Sequence, residues 1–307
     1  MRTITWGAIG CGDVCERKSG PPLYQVPGCS LAGVTRRDAE KGRDFARRHG
    51  PCRFYEHAAT LLADPAIDVV YIATHPDSHA DYTIQAAAAG KHVLVEKEMA
   101  ANADQCTAMI EACAAAGVSL SVAFYRRCYP SILTARDLIT EGAIGQLQEI
   151  AINDQFPLSH RLDLAHFLGG PMATVQVDEE VLEAGSHAER GLVLTTITQQ
   201  DGVRCRMNIG WKETDLIERL GIVGSTGSLV IDDLKGGRLT LTRAGNREDL
   251  RVPGLAYTHW GLIDNVAAHL RDGSPLACDG AEGRRSQVIE DMVTGLIPGD
   301  PPRAVRY

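Results

Sequence analysis

The chain has 307 residues, 44% hydrophobic and 23% charged, enough for two domains and a large core. A formal net charge of −8, with no basic run longer than a pair such as Arg36-Arg37 or Arg47-Arg48, argues against nucleic-acid and anionic-membrane partners, and no apolar run approaches the ~20 residues a membrane span needs. Nine scattered cysteines without a Cys-x-x-Cys read as reduced thiols of a cytoplasmic protein, and the N-terminus enters a strand with no secretory leader before it.

Up to residue 124, strand and helix signals alternate, which predicts a doubly wound parallel sheet with helices on its faces. The predicted strands are Ile4 to Ile9, Ser30 to Thr35, Cys52 to Tyr55, Asp68 to Thr74, His92 to Val95 and Val118 to Phe124. The fourth, with Val69-Val70-Tyr71-Ile72-Ala73 inside it, has the continuous apolar character of a strand buried on both faces. Asp38, Asp77 and Asn102 are the expected helix N-caps, and Gly90 closes the helix that Asp77 opens. After Tyr129-Pro130 the pattern changes. A helix to Glu141-Gly142 is followed by strands Leu147 to Asn153, Thr174 to Leu182, Leu192 to Gln199, Val203 to Lys212, Gly227 to Asp232 and Arg238 to Arg243. Hairpins are expected at Gln200-Asp201-Gly202 and Lys235-Gly236-Gly237, and helices at Thr258 to Leu270 and Gly280 to Thr294. Consecutive strands with few helices between them predict an α+β domain with a largely antiparallel, open sheet. The division falls between residues 1–124 and 125–307.

Gly10 and Gly12, after the first strand, supply two glycines of a Gly-x-Gly-x-x-Gly turn, with the small Cys15 in the third place. Gly10 serves the tight turn, and Gly12, Asp13 and Val14 lead into a helix start where a pyrophosphate can approach the backbone. An acidic residue after the second strand would bind a ribose 2′-hydroxyl, and an arginine accommodates a 2′-phosphate. The chain reads Val34-Thr35-Arg36-Arg37 there, so Thr35, Arg36 and Arg37 form the expected phosphate pocket, the alternative being two solvated arginines. NADP(H) is therefore the expected cofactor, with NAD(H) left open. Thr74, His75, Pro76 and His79 follow the central strand, where cofactor contacts gather. His75 and His79 are four apart, but the intervening proline and the lack of a third ligand argue against a metal. Lys91 to Lys97 is a short apolar strand ending in Glu96-Lys97, which can deliver an ammonium to an oxygen that gains or loses a proton.

In order and spacing, the glycine turn, Thr74 to His79, Glu96-Lys97, Tyr125-Arg126-Arg127 with Pro130, and Glu141-Gly142 with Ile144-Gly145 resemble the glucose–fructose oxidoreductase / inositol dehydrogenase (Gfo/Idh/MocA) family. Gly224 to Ser228 and the closing helix after Asp272-Gly273 extend the resemblance more weakly. It implies a Rossmann domain and a second domain whose open sheet floors the substrate site and joins subunits of a homo-oligomer. It further implies that Lys97 polarises the substrate oxygen, that His160 exchanges its proton, and that Tyr125, Arg126 and Asp163 line the substrate. Two departures stand out. The family proline after Glu-Lys is Glu98 here, and a cis bond before a non-proline is costly. The family's glycine-rich loop is missing between Asn153 and Pro157, Phe156 stands where the family has aspartate, and Asp154 is out of register. The shortening predicts a wider substrate cleft with His160 at its edge; the alternative for His160 is a helix-start residue without chemistry. The implied activity is hydride transfer to or from a small hydroxylated or carbonyl compound, a sugar or cyclitol derivative. A C=N reductase, or a nucleotide-binding relative without turnover, are the alternatives.

Overall fold

The computed structural model describes residues 2–50, 52–153, 157–184, 187–198, 201–209 and 219–307. Its contacts separate into two compact units, Met1–Tyr125 with Ala256–Gln287, and Arg126–Leu255 with Val288–Tyr307.

The first unit is built on a six-stranded sheet of β1 (Ile4–Ile9), β2 (Cys29–Thr35), β3 (Arg53–Tyr55), β4 (Val69–Ile72), β5 (His92–Val95) and β6 (Leu120–Val122). The order is β3-β2-β1-β4-β5-β6 and every pairing is parallel, the Rossmann arrangement. Two short helical turns, Cys15–Ser19 and Pro22–Gln25, connect β1 to β2, and the helices after β2, β3, β4 and β5 are α1 (Ala39–Arg48), α2 (Ala58–Leu62), α3 (His79–Ala88) and α4 (Ala103–Ala115). Apolar strand residues explain the order: all four residues of β4 are buried, as a central parallel strand requires. The ladder register positions the site. Ile9 pairs with Thr35 and with Ile72, and Ile72 pairs with Val95. The carboxyl ends of β2, β1, β4 and β5 thus lie in one row, about 14 Å long at the usual inter-strand spacing. The row crosses the point between β1 and β4 where strand order reverses, the usual ligand crevice of such sheets.

Asp38 and Asn102 cap their helices, accepting from the Lys41 and Gln105 backbone N–H groups at 3.1 and 2.9 Å. Asp77 does not. Pro76 opens a single 3₁₀ turn, Pro76–Ser78, so α3 starts one residue later than predicted, with Ser78 before it and Asp77 beside His75 at 3.0 Å.

The second unit holds α5 (Pro130–Thr140), β7 (Leu147–Asn153), α6 (Leu158–Gly169), β8 (Met172–Ala184), β9 (His187–Thr198), β10 (Arg204–Ile209), β11 (Arg219–Gly224), β12 (Gly227–Asp233), β13 (Arg238–Arg243) and β14 (Asn246–Arg251). The predicted helices near the C-terminus are α7 (Trp260–Asp272) and α8 (Gly280–Val293), and β15 (Arg303–Ala304) adds an edge strand. The sheet order is β14-β13-β12-β11-β7-β10-β9-β8-β15, antiparallel throughout except β7 beside β10. The predicted strand to Lys212 extends to Ile209 among the described residues; 210–212 lie outside them, as do Asp154, Phe156 and Gln200. Three strands, β11, β14 and the two-residue β15, lie outside the predicted elements, as does helix α6. β11 contains Gly221 and ends in Gly224, which resembles a turn, and β14 reads Asn-Arg-Glu-Asp-Leu-Arg, the charged composition of a protected sheet edge. α7, and α8 as far as Gln287, belong to the first unit although they follow the second in sequence.

Candidate active site

Four loops of the first unit leave the row of strand ends. Gly10 follows β1 with φ +91°, and a Cβ there would lie 2.6 Å from the Ala73 carbonyl oxygen, so glycine is required. Gly12 has open space around it, its nearest neighbour to a Cβ being the Gly10 oxygen at 4.0 Å. That space lets a phosphate reach the turn backbone. Asp13 and Val14 are exposed beyond it. Glu16 ties the turn to α1, accepting from Arg48 at 2.5 Å and facing His49 Nε2 at 3.0 Å, and Arg48 holds its carboxyl down at about 2.

Thr35 is buried at the end of β2. Arg36 lies back over the glycine turn, half-buried, its Nη1 donating to the Cys11 carbonyl oxygen at 2.9 Å. Arg37 is exposed, so the two arginines are not equivalent. After β4, Thr74 accepts a hydrogen bond from Ser78 at 2.8 Å, and Pro76 turns the chain. His75 and His79 part company. His75 is exposed, while His79 is buried with Nδ1 2.8 Å from the Glu98 carbonyl and Nε2 3.2 Å from the Thr74 carbonyl. Burial pulls the His79 ring below its ordinary pKa. It joins the loops after β4 and β5. Among the described residues no cluster of His, Cys, Asp or Glu could hold a metal.

Glu96 and Lys97 follow β5. Glu96 is 6% exposed; its Oε1 accepts from Tyr71 Oη at 2.5 Å and from His259 Nε2 at 2.8 Å, and its Oε2 accepts from the Lys97 backbone N–H at 3.2 Å. Burial works against its charge, but the hydrogen bonds from His259 and Tyr71 and the Lys97 ammonium outweigh it, holding the carboxyl below its usual range. Lys97 is 24% exposed, with Nζ 3.4 Å from Glu98 Oε1. The Lys97–Glu98 peptide is cis. Tyr125, beyond β6, is buried with its ring centroid 4.4 Å from that of His259. Sequence reading missed His259 and treated Tyr71 as core. The register unites the other predicted residues of this unit.

In the second unit Arg126 is fully buried, and Arg127 donates from Nε to both oxygens of Asp163 at 2.9 and 3.0 Å, with Nη2 2.8 Å from Oδ1. Asp163 and His160 both lie on α6, and both are buried.

The family model described as an oxidoreductase family with an NAD-binding Rossmann fold matches residues 4–124. The chain is 30% identical over 276 residues to dTDP-3,4-didehydro-2,6-dideoxy-alpha-D-glucose 3-reductase of Streptomyces violaceoruber, covering 82% of this chain and 78% of that one. The chain belongs to the Gfo/Idh/MocA family. Family relatives are named oxidoreductases, and oxidoreductase P35 of Formosa agariphila is 40% identical over 144 residues, 47% of this chain and 45% of that protein. Several of the relatives are likewise matched over about half their length or less. The fold also matches aldose-aldose oxidoreductase from Caulobacter crescentus with a TM-score of 0.83 at 20% identity, covering 99% of this chain and 100% of that one.

Proposed function

We propose that the chain is an NADP(H)-preferring oxidoreductase that moves a hydride to or from a small hydroxylated or carbonyl substrate, a sugar or cyclitol derivative. One observation carries the reading: a partly exposed lysine ammonium at the end of β5 lies in the row of loops that begins with an open glycine turn. The sugar-related name of the Streptomyces relative supports the substrate class. A bound nicotinamide would supply or accept the hydride. The residues fit such a group, because Gly12 leaves the turn backbone accessible and Arg36 covers it from the β2 side. Lys97 then donates a hydrogen bond to the substrate oxygen and stabilises the charge that develops there. When Lys97 gives a proton to that oxygen, water restores it. Asp163 enters as the anchor of Arg127 rather than as a substrate contact. A screen of sugars, cyclitols, ketones and imines by nicotinamide absorbance tests the reading. Turnover of imines alone would move the chemistry to C=N reduction, and cofactor binding without turnover of any of them would overturn it.

The cofactor preference rests on Arg36 and Arg37 where an acid would select NAD(H). NADPH is expected to bind more tightly than NADH by ~1–3 kcal/mol, the range of a charge-assisted phosphate contact. Titration of the wild type and of an Arg36→Ala/Arg37→Ala variant with both cofactors checks it. The preference should disappear in the variant, mostly through Arg36, whose guanidinium is already seated on the turn.

The open face of the second sheet is the proposed contact between copies of a cytoplasmic homo-oligomer. Thr174, Gln176, Thr195, Ile197, Arg204 and Arg206 line a hollow of about 460 Å³ on it. Glu149, opposite Arg204 in the ladder, and Asp178, two residues from Gln176, share that face. A two-fold contact brings the same patch of both copies together, so a face carrying both charges can set acid against base across it. Ile197→Asp is expected to convert the oligomer to monomer in light scattering after gel filtration; an unchanged mass would exclude this face.

A further inference from the structure

We infer that His259 is a positioning residue of the candidate site, holding the Glu96 carboxylate that in turn fixes the backbone of Lys97. The inference rests on the reading of Lys97 as the reacting lysine. Its basis is a closed set of contacts within the first unit. Glu96 Oε1 receives two donors, Tyr71 Oη at 2.5 Å and His259 Nε2 at 2.8 Å, and Oε2 receives the Lys97 N–H at 3.2 Å. Each of the three contacts is one in which a carboxylate oxygen can accept, so the cage fits the ionised form. His259 is fully buried, and its other nitrogen, Nδ1, faces the Thr258 hydroxyl at 3.1 Å. A neutral ring with its proton on Nε2 satisfies both contacts, donating to Glu96 and accepting from Thr258. The Tyr125 ring packs against it at 4.4 Å and limits its rotation.

The other titratable groups facing the cluster come from three elements. Cys15, after the glycine turn, has its thiol pushed far up by burial; the Tyr71 phenol on β4 is raised by burial and by Glu96; His79, at the start of α3, is lowered by burial and raised by Glu96. Lys97 is the cation on the strand's own loop. None of them replaces the hydrogen bond His259 makes. The arrangement also gives the return of Ala256–Gln287 to the first unit a purpose, since it brings a donor across 163 residues of sequence to the end of β5.

His259→Leu removes the donor and keeps apolar bulk; His259→Gln places an N–H near the position of Nε2; Tyr71→Phe removes the other donor to the same oxygen. His259→Leu is expected to lower kcat about 10- to 100-fold, the scale of a lost hydrogen bond to a charged group, with the NADPH dissociation constant unchanged. Its acid limb of kcat should move to higher pH. The lowered carboxyl of Glu96 contributes stability above its unfolded pKa, which is lost as pH falls through the folded pKa. With the donor gone the folded pKa rises, so the fall in urea midpoint on acidification should also begin at higher pH. His259→Gln should restore both, and Tyr71→Phe should shift both in the direction of His259→Leu. Equal behaviour of the leucine and glutamine variants, or a loss of kcat with both acid limbs unmoved, overturns the inference. If His259→Leu does not fold, Tyr71→Phe and His259→Gln decide it by the same limbs. The unfolding measurement needs no substrate. An acid shift there with no turnover in the wild type would remove the function of Lys97 while leaving the clamp on Glu96.

Discussion

Lys97→Met is expected to fold, to bind NADPH as the wild type does, and to turn over about 10²–10³ times more slowly, the usual cost of removing a donor to a developing oxyanion. Methionine retains the unbranched apolar stem and deletes the charge. The fold should tolerate the change because Lys97 lies beyond β5, whose buried Val93, Leu94 and Val95 are untouched. Glu98 loses its ion-pair partner but is partly exposed, so water can solvate it and little stability is at stake. The measurement is a steady-state assay limited by chemistry, run beside a cofactor titration. Wild-type turnover would exclude Lys97 as the polarising group. A parallel loss of cofactor affinity and turnover would make it a nucleotide contact and move the search for a proton donor to His160 and Tyr125.

The parts of this site set by local pattern were legible in the sequence. An apolar strand followed by Gly10-Cys11-Gly12 declares a turn because only glycine fits at φ +91°, and an apolar strand ending in Glu96-Lys97 places those residues at a strand end. Their convergence was legible too, since parallel strands of similar length align their carboxyl ends. What was illegible depends on contacts far apart in the chain. Tyr71 reads as another apolar residue in a buried run, and nothing in Tyr257-Thr258-His259-Trp260 says that the histidine meets Glu96. The usable signal was indirect. A glutamate directly after a buried strand needs donors, and the sequence beside it offers only the Lys97 ammonium and backbone N–H.

Arg36 and Arg37 show the same limit on a smaller scale. The pattern marks both as phosphate ligands, and only the folded turn separates the one seated on Cys11 from the one in solvent. In the second unit, α6 lies outside the predicted helices, and Asp163 on it meets Arg127 in a buried pair.

Asp163→Ala is accordingly expected to destabilise the protein by about 3–5 kcal/mol, the usual cost of removing one partner of a buried ion pair. Both partners meet the condition for that figure: Asp163 is 0% and Arg127 2% exposed, and the pair is bidentate with three contacts of 2.8 to 3.0 Å. Arg127 also lies over the Phe167 ring at 5.1 Å, which keeps the guanidinium in place after its counter-ion is gone. Replacing both, as Arg127→Met with Asp163→Leu, removes the charge along with its partner and should recover most of the loss, because an apolar pair of similar volume is often neutral relative to a buried salt bridge. Urea unfolding of the two single variants and the double variant measures the coupling. Against a typical domain stability of about 5–15 kcal/mol the single substitution is large enough to read as a shifted midpoint even where it does not abolish folding. An Asp163→Ala protein of wild-type stability that instead loses substrate affinity would return Asp163 to the substrate-lining role that the family resemblance implies.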